Sequence, residues 1–170
     1  MKITPWLLFL LLGLVGLNAT DLLYFNVFTH SLPYGIYLRI QGIPHRGEYA
    51  SSCLTPEIAR YGIARDYLVQ GNCGTGTVHV LKKIMGFPGD YFVVNNGLLE
   101  LNGHAYPIKP VDSSGRLLKV FYSKKEGIIN KGRYMLLSDF AQNSWDSRYW
   151  GPVSIEFLLK PWWIWEKTGK

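Results

Sequence analysis

Hydrophobic and polar positions divide the chain into an apolar N-terminal run and a body of short alternating segments. Residues Ile3 to Leu17 carry no charge and Lys2 stands in front of them. Asn18, Thr20 and Asp21 interrupt the run before Leu22-Leu23-Tyr24-Phe25 resumes it. The strict run falls short of the roughly 20 apolar residues that a spanning helix needs. Two readings follow: a signal peptide cut after Ala19, with Leu17 larger than the usual small residue, or a retained anchor from Ile3 to about Leu23. The anchor is the reading taken forward, because Ser31 follows so closely. With Lys2 on the cytoplasmic side, the body lies outside. The expected organisation is a membrane helix within residues 1–24 and one domain over 25–170.

Within the body, Gly35 to Ile40 alternates and reads as a strand. Thr55 can cap and Pro56 can open a short helix ending near Gly62. Thr77 to Met85 is a strand closed by Gly86-Phe87-Pro88-Gly89. Tyr91 to Val94 and Leu98 to Leu101 face each other across Asn96-Gly97, and Asn102-Gly103 turns the chain again before Ala105-Tyr106. Residues 107–132 read as polar and irregular. Tyr134 to Leu137 is a further strand, the loop Ser138 to Tyr149 follows, and Phe157 to Trp165 is the last apolar strand.

Composition sharpens this picture. The 18 glycines, 9 prolines and 25 aromatic residues (6 Trp, 11 Tyr, 8 Phe) favour a turn-rich β fold. About 145 residues beyond the apolar run suffice for one core. The formal charge is +6, with its basic residues scattered, which argues against a nucleic-acid footprint and suits a body held near anionic lipid. Outside a membrane, Cys53 and Cys73 read as a disulfide, closing a loop around the short helix; two buried free thiols are the alternative. No Cys-x-x-Cys or paired-histidine spacing accompanies them, so no metal is expected.

Strand alternation separates two neighbouring lysines. Lys82 shares its face with Val78, Val80 and Ile84, whereas Lys83 shares its own with His79, Leu81 and Met85. If the first face is the core face, Lys82 is a desolvated ammonium, and burial lowers a lysine pKa. A neutral amine could take the proton from the Ser31 hydroxyl, which is too weak a nucleophile unaided. The plainer reading is an edge strand with solvated lysines and a serine engaged only in turn chemistry. A serine–histidine arrangement is a further alternative, with His30 badly placed beside Ser31 and no spacing that favours His45, His79 or His104. In the loop Asn143 to Arg148, Ser144 could orient the lysine amine while an Asp146–Arg148 pair holds the loop. Trp162, Trp163 and Trp165 read as edge packing, or as an interfacial cluster near lipid.

Three segments together resemble a known family. Ser31-Leu32-Pro33-x-Gly35-x-Tyr37 resembles a nucleophile box, and Leu81-Lys82-Lys83-Ile84-Met85-Gly86-Phe87-Pro88-Gly89-Asp90 a lysine box. Asn143-Ser144-Trp145-Asp146-Ser147-Arg148 through Val153 resembles the final box. The family is the type I signal peptidases, the S26 serine peptidases, and within them the conjugative transfer peptidases of the TraF type. The Cys53 to Cys73 segment, with Tyr67 and Gly71, is also similar to that branch. One departure stands out: the general pattern has Gly-Asp-Asn where this chain has Ser138-Asp139-Phe140.

The resemblance implies a mainly β, signal-peptidase-like antiparallel barrel or sheet, with a short disulfide-stapled helical insertion and one N-terminal membrane helix. It implies Ser31 as nucleophile, Lys82 as general base and Asp146 as a catalytic contributor, with Ser144 and Arg148 in support and no cofactor. It implies a place in the bacterial inner membrane with the domain in the periplasm, a pilin precursor as substrate, and membrane lipid and other conjugation-apparatus proteins as partners, without nucleic acid. In the best-known relatives the pilin's own N-terminus resolves the acyl-enzyme and yields a cyclic subunit. Two other functions stay in view: a general signal peptidase for exported preproteins, and a non-catalytic scaffold in an envelope secretion complex.

Overall fold

Ten strands and two short helices make up the domain in this computed structural model, which describes residues 22–27, 31–122, 125–138, 141 and 143–165. The strands are β1 (Leu23–Asn26), β2 (Gly35–Ile40), β3 (Tyr49–Ser52), β4 (Val80–Gly86), β5 (Tyr91–Asn95), β6 (Leu98–Leu101), β7 (His104–Pro107), β8 (Glu126–Ile128), β9 (Met135–Leu137) and β10 (Phe157–Ile164). Helix α1 spans Pro56–Ile63 and α2 spans Ser147–Trp150. Nearly all of the expected membrane helix lies outside the described residues. Among the described residues, no helix is long and apolar enough to cross a membrane.

The strands form two antiparallel sheets. The larger has the order β1-β2-β10-β3-β4-β9 and the smaller the order β7-β6-β5-β8. Among the described residues the ladders of both sheets stay open. The expected boundary at residue 24 also moves. Leu23 pairs with Leu38 and Tyr24 with Tyr37, so the apolar Leu22 to Phe25 segment joins the sheet as its edge strand. The hairpin signals of the smaller sheet match its turns. Asn96-Gly97 and Asn102-Gly103 all have positive φ, the paired left-handed conformation that a two-residue hairpin turn requires. β8 lies within the stretch read as irregular, because it is three residues long and gains its order from pairing with β5. β3 was likewise not anticipated: Tyr49 to Ser52 carries mixed small and polar residues, yet is largely buried between β10 and β4.

Cys53 and Cys73 are bonded, so the sequence between β3 and β4 is the stapled insertion. Pro56 begins α1 and Thr55 occupies its cap position, but its side chain makes no capping bond. Pro56, at the first helical position, lacks an N–H that the helix start would otherwise leave unpaired. The helix buries Ile58, Ala59 and Gly62, and Gly62 admits the indole edge of Trp145.

Both faces of β4 are covered. Val80 and Ile84 belong to the main core with Ala50, Leu136, Tyr149 and Leu158. Leu81 belongs to a second cluster with Leu32, Tyr37, Phe157 and Leu159. Lys82 therefore emerges on the main-core face, opposite Ala50 of β3.

Candidate active site

Alternation places Lys82 on the apolar face of β4, where it is 6% exposed, while Lys83 is half-buried on the other face. The Lys82 ammonium donates a hydrogen bond to Ser31 Oγ. Burial is the main influence on this amine and lowers its pKa from 10.5 to about 8. The charge of Asp146 opposes that fall and the charge of Arg148 adds to it. A protonated Lys82 donates to the serine; once deprotonated, it presents a lone pair to the hydroxyl proton from the same position.

Ser31 sits in the turn between β1 and β2, and that turn is held from below. Asn26, buried at the end of β1, donates through Nδ2 to the carbonyls of Leu32 at 3.0 Å and Pro33 at 3.1 Å. Tyr37 on β2 donates its hydroxyl to the Pro33 carbonyl at 2.6 Å. Desolvation raises the Tyr37 pKa, so the phenol remains a donor. Leu32 is fully buried and anchors the turn in the core. Gly35 is required by close packing: a Cβ there would meet the Trp163 carbonyl and lie 2.7 Å from Ile164 Cδ1.

The loop before α2 is built around a buried ion pair. Arg148 Nε and Nη2 donate to Asp146 Oδ1 and Oδ2, each at 2.8 Å, and both residues are almost wholly buried. Asp146 also caps α2, accepting from the Arg148 amide at 3.1 Å. Its Oδ2 accepts from the Ser138 amide at 3.1 Å. Arg148 further donates to the carbonyls of Ser144 at 2.9 Å and Pro107 at 2.9 Å. The expected Asp146–Arg148 pair is therefore present, with Arg148 as the tie of the whole loop.

Two placements differ from the expectation. Ser144 Oγ is buried with no hydrogen-bond partner among the described residues, so the hydroxyl does not orient the lysine amine; the Ser144 carbonyl instead accepts from Arg148. Asp146 makes no hydrogen bond to Ser31 or Lys82, because Arg148 and Ser138 occupy both of its oxygens. It acts on the amine through its charge. Among the described residues, no histidine bonds Ser31: His79 packs against Phe157, His45 lies beside Glu48, and His104 is exposed on β7. His79 also approaches Cys53 and Cys73, but both sulfurs are taken up in the disulfide and offer no thiolate to a metal.

Residues 28–159 match the family described as signal peptidase, peptidase S26. The chain belongs to the S26 signal peptidases. It is also related to TraF proteins of that family. One relative is a plasmid transfer protein TraF from Escherichia coli, 26% identical over 136 residues, which cover 77% of this chain and 76% of that protein. Another is the conjugal transfer protein TraF of Agrobacterium tumefaciens (strain 15955), 30% identical over 95 residues, which cover 56% of this chain and 53% of that protein. A crystal structure of a signal peptidase I from Enterococcus faecalis V583 aligns with 71% of this chain and 100% of its own, at 20% identity and a TM-score of 0.37.

Reading the sequence for catalytic residue types missed three residues that hold this S26 site in place. Tyr37 stood within the nucleophile box without a role. Asn26 carried no signal, since only the fold brings β1 under the serine turn. Ser138 was visible only as a departure from the family pattern.

Proposed function

We propose that this S26 protein is a serine endopeptidase with a Ser31–Lys82 dyad, anchored in the bacterial inner membrane with its domain in the periplasm. Its substrate is a pilin precursor of a conjugative transfer system. One observation carries the chemistry: a buried lysine with a lowered pKa lies in hydrogen-bond contact with the hydroxyl of a serine held in a braced turn. The relatives named as plasmid and conjugal transfer proteins support the assignment to conjugation.

In the acylation step, neutral Lys82 accepts the Ser31 proton as Oγ bonds to the scissile carbonyl carbon. The C–N bond then breaks, and the Lys82 ammonium returns the proton to the leaving amine. Backbone N–H groups near Ser31 would hold the oxyanion. Water or an amine then attacks the Ser31 ester, with Lys82 again as base; an amine that belongs to the substrate itself yields a cyclic product. Asp146 and Arg148 hold the loop beside the dyad.

The membrane setting agrees with the surface. Phe25 and Val27 at β1, together with Trp163 and Trp165 near the end of β10, are exposed at the end of the larger sheet where β1 turns into β2. Aromatic residues suit the headgroup region of a bilayer.

Ser31→Ala and Lys82→Ala, each assayed for processing of the pilin precursor by mass spectrometry, test the proposal. Both variants are expected to leave the precursor intact, and normal product from either refutes the dyad. A product one water lighter than the linear cleaved peptide identifies cyclisation. Cleavage of unrelated exported preproteins with equal efficiency would favour a general signal peptidase instead.

A further inference from the structure

We propose that Ser138 is a positioning residue for the nucleophile, linking the backbone of Ser31 to the buried Asp146–Arg148 pair; this rests on the Ser31–Lys82 reading above. Three hydrogen bonds meet at this one small residue. Its hydroxyl donates to the Ser31 carbonyl oxygen at 2.8 Å. The same oxygen accepts from the Ala141 amide at 3.0 Å, which fixes the direction of the hydroxyl proton. Its own amide donates to Asp146 Oδ2 at 3.1 Å. A continuous path therefore runs from Arg148 through Asp146 and Ser138 to the residue that carries the nucleophile.

The location explains why so short a side chain is sufficient. Ser138 immediately follows β9, in which Leu137 pairs with Lys83 of β4. One further step along that antiparallel register brings residue 138 opposite Lys82. Ser138 thus stands beside the base along the sheet and bonds the nucleophile across it. It is 8% exposed, so water offers its hydroxyl little competition.

This gives a physical meaning to the departure from the Gly-Asp-Asn pattern. Glycine has no side chain to donate to the Ser31 carbonyl or to accept from Ala141. In this chain the serine hydroxyl supplies both connections. The Ser31 carbonyl and amide belong to adjacent rigid peptide planes, so restraining the carbonyl limits how the Ser31 backbone turns relative to an incoming substrate. Ser138 touches neither substrate nor the reacting Oγ, so its effect reaches the reaction through geometry.

The test uses purified full-length enzyme in detergent and a pilin-derived peptide spanning the cleavage site. Ser138→Ala is expected to lower kcat by about tenfold with KM within twofold of the wild type. The midpoint of its pH–rate profile stays unchanged, because the amine keeps its burial and charged neighbours. Ser138→Thr, which retains the hydroxyl, is expected to recover most of the lost kcat. A purely structural role would instead lower the melting temperature and leave kcat per folded molecule intact. The proposal is overturned if folded Ser138→Ala keeps kcat within twofold of the wild type, or if Ser138→Thr shows no recovery. Should Ser138→Ala fail to fold, Ser138→Gly takes its place under the same criteria. Undiminished cleavage by Ser31→Ala would instead remove the underlying dyad, a result separable from any outcome at position 138.

Discussion

Replacing Lys82 by methionine should abolish cleavage and at the same time make the domain more stable at neutral pH. The side chain lies among Val80, Ile84 and Ala50, where methionine fits the same channel without a charge. Burial lowers the Lys82 pKa from 10.5 to about 8, which corresponds to about 3 kcal/mol at neutral pH, at about 1.4 kcal/mol per pH unit. Loss of the bond to Ser31 offsets about 1 kcal/mol of this, leaving a gain of about 2 kcal/mol. The sign changes with pH in a defined way. Below pH 8 the amine is protonated in both the folded and the unfolded chain, so the wild type carries the full penalty. Between about 8 and 10.5 the folded chain releases the proton while the unfolded chain retains it, so wild-type stability rises with pH. Above 10.5 both states are neutral and the pH-dependent advantage of methionine is gone. Urea unfolding of both proteins at pH 7, 9 and 10.5 measures the difference, and the other titrating groups cancel between them. A Lys82→Met protein less stable than wild type at pH 7, or a difference that stays constant across this range, would refute the reasoning.

Four further outcomes follow. Single-turnover cleavage should rise with pH through a midpoint near 8 as Lys82 loses its proton; a rate that is flat from pH 6 to 10 would show that another group limits the step. Asp146→Asn leaves Arg148 buried without its counter-charge and should destabilise the domain by about 3–5 kcal/mol in urea titration, with the rate midpoint moving to lower pH in the folded fraction. Gly35→Ala drives a methyl group against the β10 backbone and should cost about 1–3 kcal/mol on thermal melting, whereas an unchanged melting temperature would mean that β10 yields freely. Reducing the Cys53–Cys73 bond should destabilise by about 3 kcal/mol without removing activity from molecules still folded by circular dichroism.

Local rules made part of this molecule readable from its sequence. The hairpins of the smaller sheet were legible because Asn-Gly dipeptides impose their own backbone geometry. Lys82 was distinguishable from Lys83 because strand alternation assigns each to a face. Other features depend on contacts distant in sequence. β1 resembled the end of an apolar helix because Leu-Leu-Tyr-Phe satisfies both patterns, and only its pairing with β2 decides between them. The direction of the Ser144 side chain and the saturation of Asp146 depend on Arg148 reaching back over the loop. Ser138 looked like a lost glycine; nothing nearby in the chain announces a carbonyl partner 107 residues earlier.

That separation has a temporal consequence. Ser31 lies beside one outermost strand of the six-stranded sheet and Ser138 follows the opposite outermost strand, so their contact joins two rims that no backbone ladder closes among the described residues. Contacts so remote along the polypeptide form late, after the intervening chain has found its place. During synthesis, the serine would emerge long before the segment that braces it. If Ser31 acts as proposed, the nascent chain should therefore stay below full activity until the segment carrying Ser138 has emerged, a safeguard against premature cutting that is inherent in the order of assembly.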